Sequence, residues 1–469
     1  MKILLACEFY YPSIGGVQEV MRQLAERFVE RGHQVTVATT FMPERTSRVL
    51  NGVEIAEFNV SGNLVRGLDG DIEVYRRYVI ESGHDVFMVK AAQQWTFDAL
   101  IPVLERIRKP KVFIPCGFSG FYEPAYADYF RQMPEALKKF DRLIFYASDY
   151  RDINFAREHG IGNLAVIPNG ASEREFGVPR DPGFRRRHRI AVDAFLVLTV
   201  GSLTGLKGHL ELAKAFERCE FGGRPAFLIL NGNVPRQSSV TRYSFIAPRL
   251  WQIWITSRHM YQIGGAARLS KWILRARLIR ARMGWVLRAL GYIAPDYIIS
   301  ENVEGVVRRI NSRSAGRRRA VVIDLPRAEL VQAYLNSDLF VFASKVEYSP
   351  LVLYEAAAAG LPFLSVSVGN AGEIAGWTGG GVVLDVPKDA QGYTQVDPAV
   401  LGERISQLAA RPEELERMGA EGRKNWEAQF SWNKIVALYE GVFKECIASA
   451  PGDAGPAGEL SAIEGTTRQ

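Results

Sequence analysis

The run Lys2-Ile3-Leu4-Leu5-Ala6-Cys7, the loop Tyr10-Tyr11-Pro12-Ser13-Ile14-Gly15-Gly16, the helically spaced Val20, Leu24 and Phe28, and a second run, Gln34-Val35-Thr36-Val37-Ala38-Thr39, follow one another at the start of the chain. A short apolar run, a glycine-bearing turn, an amphipathic period closing at Arg31-Gly32 and another apolar run read as strand, helix, strand. A crossover of that kind places the two strands parallel in one sheet. The opening run has a superficial likeness to a lipoprotein signal ending at Cys7. Its apolar stretch is too short for a signal core and Glu8 follows at once, so it reads as a buried strand.

Outward from this unit the pattern repeats. Strands are expected at 86–90, 111–115, 142–146 and 164–167, and Pro168-Asn169-Gly170 ends the series. Residues 179–190, rich in Pro, Arg and Gly, read as a linker. A new series then begins: a strand at 194–200, the loop Gly201–Gly208, a helix at 210–216, and strands at 226–230, 320–323, 339–343 and 362–366. Two such series imply an α/β protein of two Rossmann-like, doubly wound domains, 1–178 and 192–430, facing each other across a cleft. Ligands in such folds sit outside the carboxyl ends of the strands. Residues 401–448 are helical by period, and the Gly/Ala/Pro-rich tail, 450–469, is expected to be disordered.

Composition fits this frame. With 469 residues, 47% apolar and 23% charged, neither a disordered chain nor a fibre is plausible, and two domains is the natural count. The segment Arg236–Arg319 holds 17 of the 58 Lys+Arg and 3 of the 51 Asp+Glu, net +14, which leaves the rest of the chain at −7. No stretch of 18 uncharged apolar residues occurs, so no spanning helix is expected. Cys7, Cys116, Cys219 and Cys446 lie far apart with no metal spacing, which reads as a reduced, cytoplasmic chain.

Three constellations bear on chemistry. Gly15-Gly16 stands between the first strand and helix, where free helix N–H groups favour an anion and glycine lets a phosphate come close. A tight turn needing positive φ is the alternative. The pair is not GxGxxG, which disfavours a nicotinamide site. Gly201-Ser202-Leu203-Thr204-Gly205-Leu206-Lys207-Gly208 puts Lys207 at the mouth of the second domain, as a point charge for a pyrophosphate or as a plain surface lysine. Most specific is Glu347-Tyr348-Ser349-Pro350-Leu351-Val352-Leu353-Tyr354-Glu355. Pro350 suits the first helical position. Glu347 then precedes the helix, Glu355 lies a turn and a half inside it, and the free N–H groups of Leu351 and Val352 face an anion between them. A carboxylate that accepts two hydroxyls suits a ribose, and a second suits sugar hydroxyls. The bland alternative is a solvated helical pair, but two glutamates eight residues apart form no ion pair.

Taken in order, these pieces make the chain resemble the family-4 glycosyltransferases of the GT-B fold. The resemblance rests on Glu347 and Glu355 as a Glu-x7-Glu motif, on Gly15-Gly16 within YYPSIGGVQ, on Pro168-Asn169-Gly170, and on the Gly-x5-Lys-Gly loop Gly201–Gly208. Gly369-Asn370-Ala371-Gly372-Glu373 and the closing Phe430-Ser431-Trp432 complete it, over most of 1–234 and 320–449. The resemblance implies a retaining enzyme that uses a nucleotide-diphosphate sugar with no metal or other cofactor. It implies that Glu355 binds the ribose, that Glu347 lies by the donor sugar, and that Lys207 with the backbone near Leu351 and Val352 holds the diphosphate. Glu347 and Lys207 are then the catalytic residues, and Gly16 faces the diphosphate from the other domain. Gly15 and Ser202 fall beside this donor site, and Cys116, Gly117 and Asn370 on the acceptor or sugar side. The last helix, within 431–449, is expected to cross back onto the first domain.

The chain departs from the family at two points. Many members carry Arg where Ser202 stands, so one phosphate-neutralising charge is missing. Many carry His where Cys116-Gly117 stand, and none of the six histidines falls there. The leaving phosphate can itself serve as the base in such retaining enzymes. Asp69-Gly70-Asp71 spells the Asp-x-Asp of metal-dependent GT-A transferases, but it sits in a polar stretch and reads as a turn.

Between the strands at 226–230 and 320–323, 89 residues intervene where the family usually has about one helix. The extra piece, 235–297, contains Trp251, Trp254, Trp272 and Trp285, half of the eight tryptophans. At helical period 269–290 gives two apolar stripes, one through Trp272, Ile279, Met283, Val286 and Leu290, the other through Leu274, Leu278, Ala281 and Trp285, with arginines between. Arg and Trp together suit an anionic membrane interface; a subunit interface or a purely structural insertion are the alternatives. Nucleic acid is not expected, because the arginines are spread around the helix. The resulting expectation is a glycosyltransferase acting on a glycan or lipid-linked acceptor, cytoplasmic and peripheral on the inner membrane face. A GT-B sugar-nucleotide epimerase and a catalytically degenerate binding subunit stand as alternatives.

Overall fold

The computed structural model describes residues 1–232, 302–313 and 316–450. The expected helical insertion at 235–297 and the expected disorder beyond Ala450 lie outside the described residues. The opening unit forms as its sequence pattern demands: β1 (Lys2–Ala6) and β2 (Gln34–Thr40) pair in parallel, Ile3 opposite Val35 and Leu5 opposite Val37, with the helix Gly16–Glu30 between them. Ile3 to Ala6 are all fully buried. A parallel strand covered on both faces has no solvent side, which is why its sequence is continuously apolar rather than alternating.

Six further strands extend this sheet: β3 (Val49–Leu50), β4 (Val53–Phe58), β7 (Val86–Lys90), β8 (Lys111–Ile114), β9 (Arg142–Phe145) and β10 (Leu164–Val166). Their order is β10-β9-β8-β7-β1-β2-β4-β3, with β3 alone antiparallel. Between β4 and β7 a separate hairpin forms from β5 (Val60–Asn63) and β6 (Gly67–Gly70). The second sheet contains β11 (Phe195–Val200), β12 (Ala226–Asn231), β13 (Arg318–Ile323), β14 (Leu339–Phe342), β15 (Phe363–Val366) and β16 (Gly381–Leu384). It runs β13-β12-β11-β14-β15-β16, parallel throughout. In both sheets the strand order reverses beside the first strand, β1 or β11. The loops leaving those strands, Gly15-Gly16 and Gly201–Gly208, therefore stand at the two switch points where such folds bind ligands.

The structure corrects the sequence reading in several places. Asp69 and Gly70 belong to β6 and pair with Ser61 and Val60, and Asp71 precedes the helix Ile72–Glu81. This hairpin is short and largely polar, so no alternation announced it. The linker at 179–190 contains a helical turn, Phe184–Arg187, pinned by the fully buried Phe184. The period over 401–448 resolves into Pro398–Ala409, Pro412–Asn425 and Trp432–Ser449, the last two separated by a π turn. Pro350 caps its helix from outside rather than opening it: its backbone is extended, and Leu351 is the first helical residue.

The last helix, Trp432–Ser449, puts Trp432, Ile435, Val436, Tyr439 and Phe443 into one apolar cluster with Ile3, Leu5, Leu24 and Phe28 of the first sheet's layer. Arg31 Nε, at the end of the first helix, reaches the Glu440 carboxylate at 2.6 Å and joins the two helices, while Lys444 Nζ pairs with the same carboxylate at 2.6 Å from within the last helix. All four cysteines are unpaired. Among the described residues no helix is long and apolar enough to cross a membrane.

Lys90, the last residue of β7, is 1% exposed and donates to the Tyr146 hydroxyl at 2.6 Å. Burial pushes its ammonium down from 10.5 to about 8. Between those two values the unfolded chain binds the extra proton, so rising pH favours the fold there. Lys90→Met is expected to be the more stable form at pH 7, by at most on the order of 3 kcal/mol. Its advantage in melting temperature should shrink as pH rises from about 8 towards 10; an advantage that stays constant over that range contradicts this account.

Candidate active site

The loop after β11 is held from below. The Leu206 carbonyl accepts from Lys345 N at 2.7 Å. Gly208 has φ 71°, and a Cβ there would lie 1.9 Å from the Ala343 carbonyl oxygen, so only glycine lets the loop pass the end of β14. Ser202 begins the loop, its carbonyl accepting from Thr204 N at 2.8 Å. The pinned loop aims Lys207 at Glu347: Nζ to Oε1 is 2.5 Å, and Ser344 Oγ donates to the same oxygen at 3.0 Å. Gly208→Ala is expected to destabilise the protein by more than about 1 kcal/mol, because native φ is positive and the added methyl meets backbone. It should also lower activity as removal of Lys207 does; wild-type melting and activity together would show that the loop tolerates a side chain.

The motif helix Leu351–Ala358 begins beside this pair. The amides of Leu351 and Val352, in its first turn, have no partner within the helix and carry the positive end of its dipole. From the other domain, Gly16 comes so near that a Cβ on it would lie 4.0 Å from Leu351 Cδ1. The starts of two helices thus approach each other across the cleft. Gly15 has φ 174°, extended backbone open to any residue, which removes the positive-φ turn as the reason for the glycine pair. Glu355, deeper in the helix, has both oxygens engaged: Arg327 Nη2 donates to Oε1 at 2.5 Å and Tyr334 OH to Oε2 at 2.9 Å.

Tyr348, between the two glutamates in sequence, reaches into the first domain. Its hydroxyl accepts from Tyr146 N at 2.9 Å, and its ring lies 4.8 Å from that of Tyr150. The Tyr150 hydroxyl donates to the Glu347 carbonyl at 2.8 Å. Gly117, at φ 84°, forms the floor of this socket, where a Cβ would come within 2.8 Å of Tyr348 Cγ. Its N–H donates to Asp152 Oδ2 at 2.7 Å, and burial pushes that carboxyl up to about 6. Burial also pushes the neighbouring Cys116 thiol up, so Cys116 is a neutral thiol at pH 7.

Asn370 crosses the same seam, Nδ2 donating to the Tyr146 carbonyl at 2.9 Å, while its buried Oδ1 has no protein partner. Glu373 accepts from Ser148 N at 2.9 Å and from Ser148 Oγ, and Asn169 Nδ2 donates to the Ser349 carbonyl at 3.3 Å. The structure therefore pairs Lys207 with Glu347, four residues before the helix that opens with Leu351 and Val352, and sets Gly16 of the other domain against Leu351. It sets Cys116, Gly117 and Asn370 around Tyr348 and Tyr146, and places Glu355 with partners of its own. Tyr348, Arg327 and Tyr334 were not among the candidates read from sequence. For Tyr348 the signal was its place inside the motif. For the other two it was only their spacing of seven along the helix Arg327–Asn336, which says nothing of what that face meets. Chemically the arrangement is an anion cradle of one lysine and a helix start, flanked by carboxylates. Among the described residues no three His, Cys, Asp or Glu side chains gather as a metal-ligand set.

Residues 14–174 match the model described as Glycosyltransferase Family 4, and residues 299–425 match that described as Glycosyl transferases group 1. Spore coat protein SA of Bacillus subtilis (strain 168) is 31% identical over 127 residues, which are 26% of this chain and 29% of that protein's length. In fold, the chain is similar to sucrose-phosphate synthase of Thermosynechococcus elongatus, with TM-score 0.63 and 16% identity over 96% of this chain and 99% of that one. It is likewise similar to Anabaena HepE in complex with UDP-glucose, with TM-score 0.59 and 14% identity over 95% of this chain and 100% of that one. With glycosyltransferase models matching in succession on two facing doubly wound domains, the first holding the Gly-Gly loop and the second the paired glutamates, the chain belongs to the family-4 glycosyltransferases of the GT-B fold.

Proposed function

We propose that the protein is a retaining glycosyltransferase that moves a sugar from a nucleotide-diphosphate sugar to a glycan or lipid-linked acceptor, in bacterial surface-polysaccharide synthesis. The observation that carries the donor half is Lys207 on Glu347 at 2.5 Å, beside the free amides of Leu351 and Val352 and opposite Gly16. In this reading the diphosphate lies against Lys207 and the two amides, which neutralise charge as the bond from the sugar to the leaving phosphate breaks. Glu347 lies by the sugar, Glu355 takes the ribose, and the acceptor enters from the first domain on the face the phosphate leaves. The leaving phosphate oxygen takes the acceptor's proton. Donor-binding solved neighbours such as HepE, described in complex with UDP-glucose, support a sugar nucleotide as the first probe. Ser202 and Cys116 are the features that favour a degenerate binding subunit, and the intact glutamate pair weighs against it.

Incubation with a panel of UDP-, GDP- and ADP-sugars, reading nucleotide release and the anomeric configuration of the product, tests this. Release with retained configuration is expected; inversion, or no release with any donor, overturns it. Activity should be complete in excess EDTA, because a lysine and helix amides stand where other transferases use a cation. Loss of activity with chelator and rescue by Mn²⁺ would point back to Asp69-Gly70-Asp71.

The basic segment supports the further reading that the enzyme works at an anionic membrane surface through 235–297. Vesicles with anionic lipid should bind the protein and neutral vesicles hardly at all. The electrostatic part should weaken with salt, as the Debye length falls to about 3 Å at 1 M. Replacing Arg275, Arg277, Arg280 and Arg282 by Gln should release the protein at moderate salt while sugar-nucleotide hydrolysis continues. Equal pelleting of both forms would sink the anchor, and a dimer broken by the same changes would favour a subunit interface.

A further inference from the structure

We propose that Arg327 and Tyr334 are positioning residues for the nucleotide ribose, holding the Glu355 carboxylate so that it keeps two free acceptor sites for the 2′ and 3′ hydroxyls. This rests on the reading of Glu355 as the ribose ligand. The helix Arg327–Asn336 carries both residues, seven apart and hence on one face. Arg327 Nη2 takes one oxygen of Glu355 at 2.5 Å and Tyr334 OH the other at 2.9 Å. An ionised carboxylate offers about four acceptor positions, two on each oxygen. One on each is occupied, and one on each remains, which is what a cis-diol requires.

Both donors are themselves fixed. Tyr334 is fully buried, its ring stacked on Phe340 with centroids 5.4 Å apart and edge-on to Phe176 at 5.7 Å. Arg327 clasps Glu175 through Nε at 2.9 Å and Nη2 at 2.7 Å, and its guanidinium lies 5.8 Å from the Phe176 ring centre. Glu175 belongs to the helical turn Glu173–Phe176, where the chain leaves the first sheet. The terminal torsion of a glutamate is broad and two-fold. Without the two donors the carboxylate would rotate among orientations, and the diol would have to order it on binding.

The test is discrimination between ribose and 2′-deoxyribose. Calorimetry on the full chain with UDP, GDP and ADP identifies the tightest-binding ribonucleotide, and its 2′-deoxy counterpart is measured beside it. Wild type should prefer the ribonucleotide by about tenfold or more, since the lost hydroxyl donates to a charged acceptor. Tyr334→Phe keeps the ring and its stacking and should reduce that preference several-fold. Arg327→Ala should do the same, with partial recovery in Arg327→Lys. A role confined to helix packing would lower the melting temperature of these variants and leave the preference untouched. If Tyr334→Phe and Arg327→Ala fold and keep the wild-type preference while Glu355→Ala abolishes it, the proposal is overturned and the ribose reading survives. If Glu355→Ala itself keeps the preference, the ribose reading fails first.

Discussion

Lys207→Ala is expected to lower kcat by about 10²-fold or more, the effect of removing one preorganised donor aimed at developing charge. The structure makes this prediction more specific than a lysine in a loop would. Lys207 is ion-paired with Glu347, which Ser344 also holds, so the two residues act as a unit. Glu347→Ala is expected to lower kcat to a similar degree while free nucleoside diphosphate still binds. The double variant should be little worse than the poorer single one, because groups that act together are strongly non-additive. Steady-state kinetics on the four forms decides it. Two independent, multiplying losses would mean that the ion pair is a resting contact, broken before reaction.

Glu355→Ala should behave in the opposite way. A carboxylate that binds the ribose does so in the ground state and in the transition state alike, so its loss belongs to uniform binding and appears in KM. Two hydrogen bonds to a charged acceptor are removed, and the free nucleotide should bind about 10²-fold more weakly. The substitution also leaves the buried Tyr334 hydroxyl without its acceptor, so Glu355→Gln, which keeps an acceptor there, separates lost affinity from lost stability. Calorimetry that finds normal nucleotide binding in both variants contradicts the ribose assignment.

The strands were legible wherever burial on both faces forced continuous apolar runs: β1, β7, β11 and β14 could be placed within a residue or so. The hairpin β5–β6 was not, because a short polar ribbon has no period to read. Nor was β16, whose four residues are only partly buried. The site was legible in proportion to how local it is. Glu347, Leu351 and Glu355 lie on one turn-and-helix whose geometry their spacing dictates, and Gly208 is explained by the single carbonyl it must pass.

Sequence alone determined two doubly wound domains, the switch-point loops after β1 and β11, and the residue types that gather there, because strand burial and helix starts are properties of neighbouring residues. Tertiary structure alone decided that Lys207 meets Glu347, that Tyr348 fills a socket over Gly117, and that Arg327 and Tyr334 divide the two oxygens of Glu355 between them. Those partners stand 140, 231, 28 and 21 residues apart in the chain. Spacing within one element fixes which face a side chain occupies; which other face it meets follows only once both sheets have packed and the cleft between them has closed.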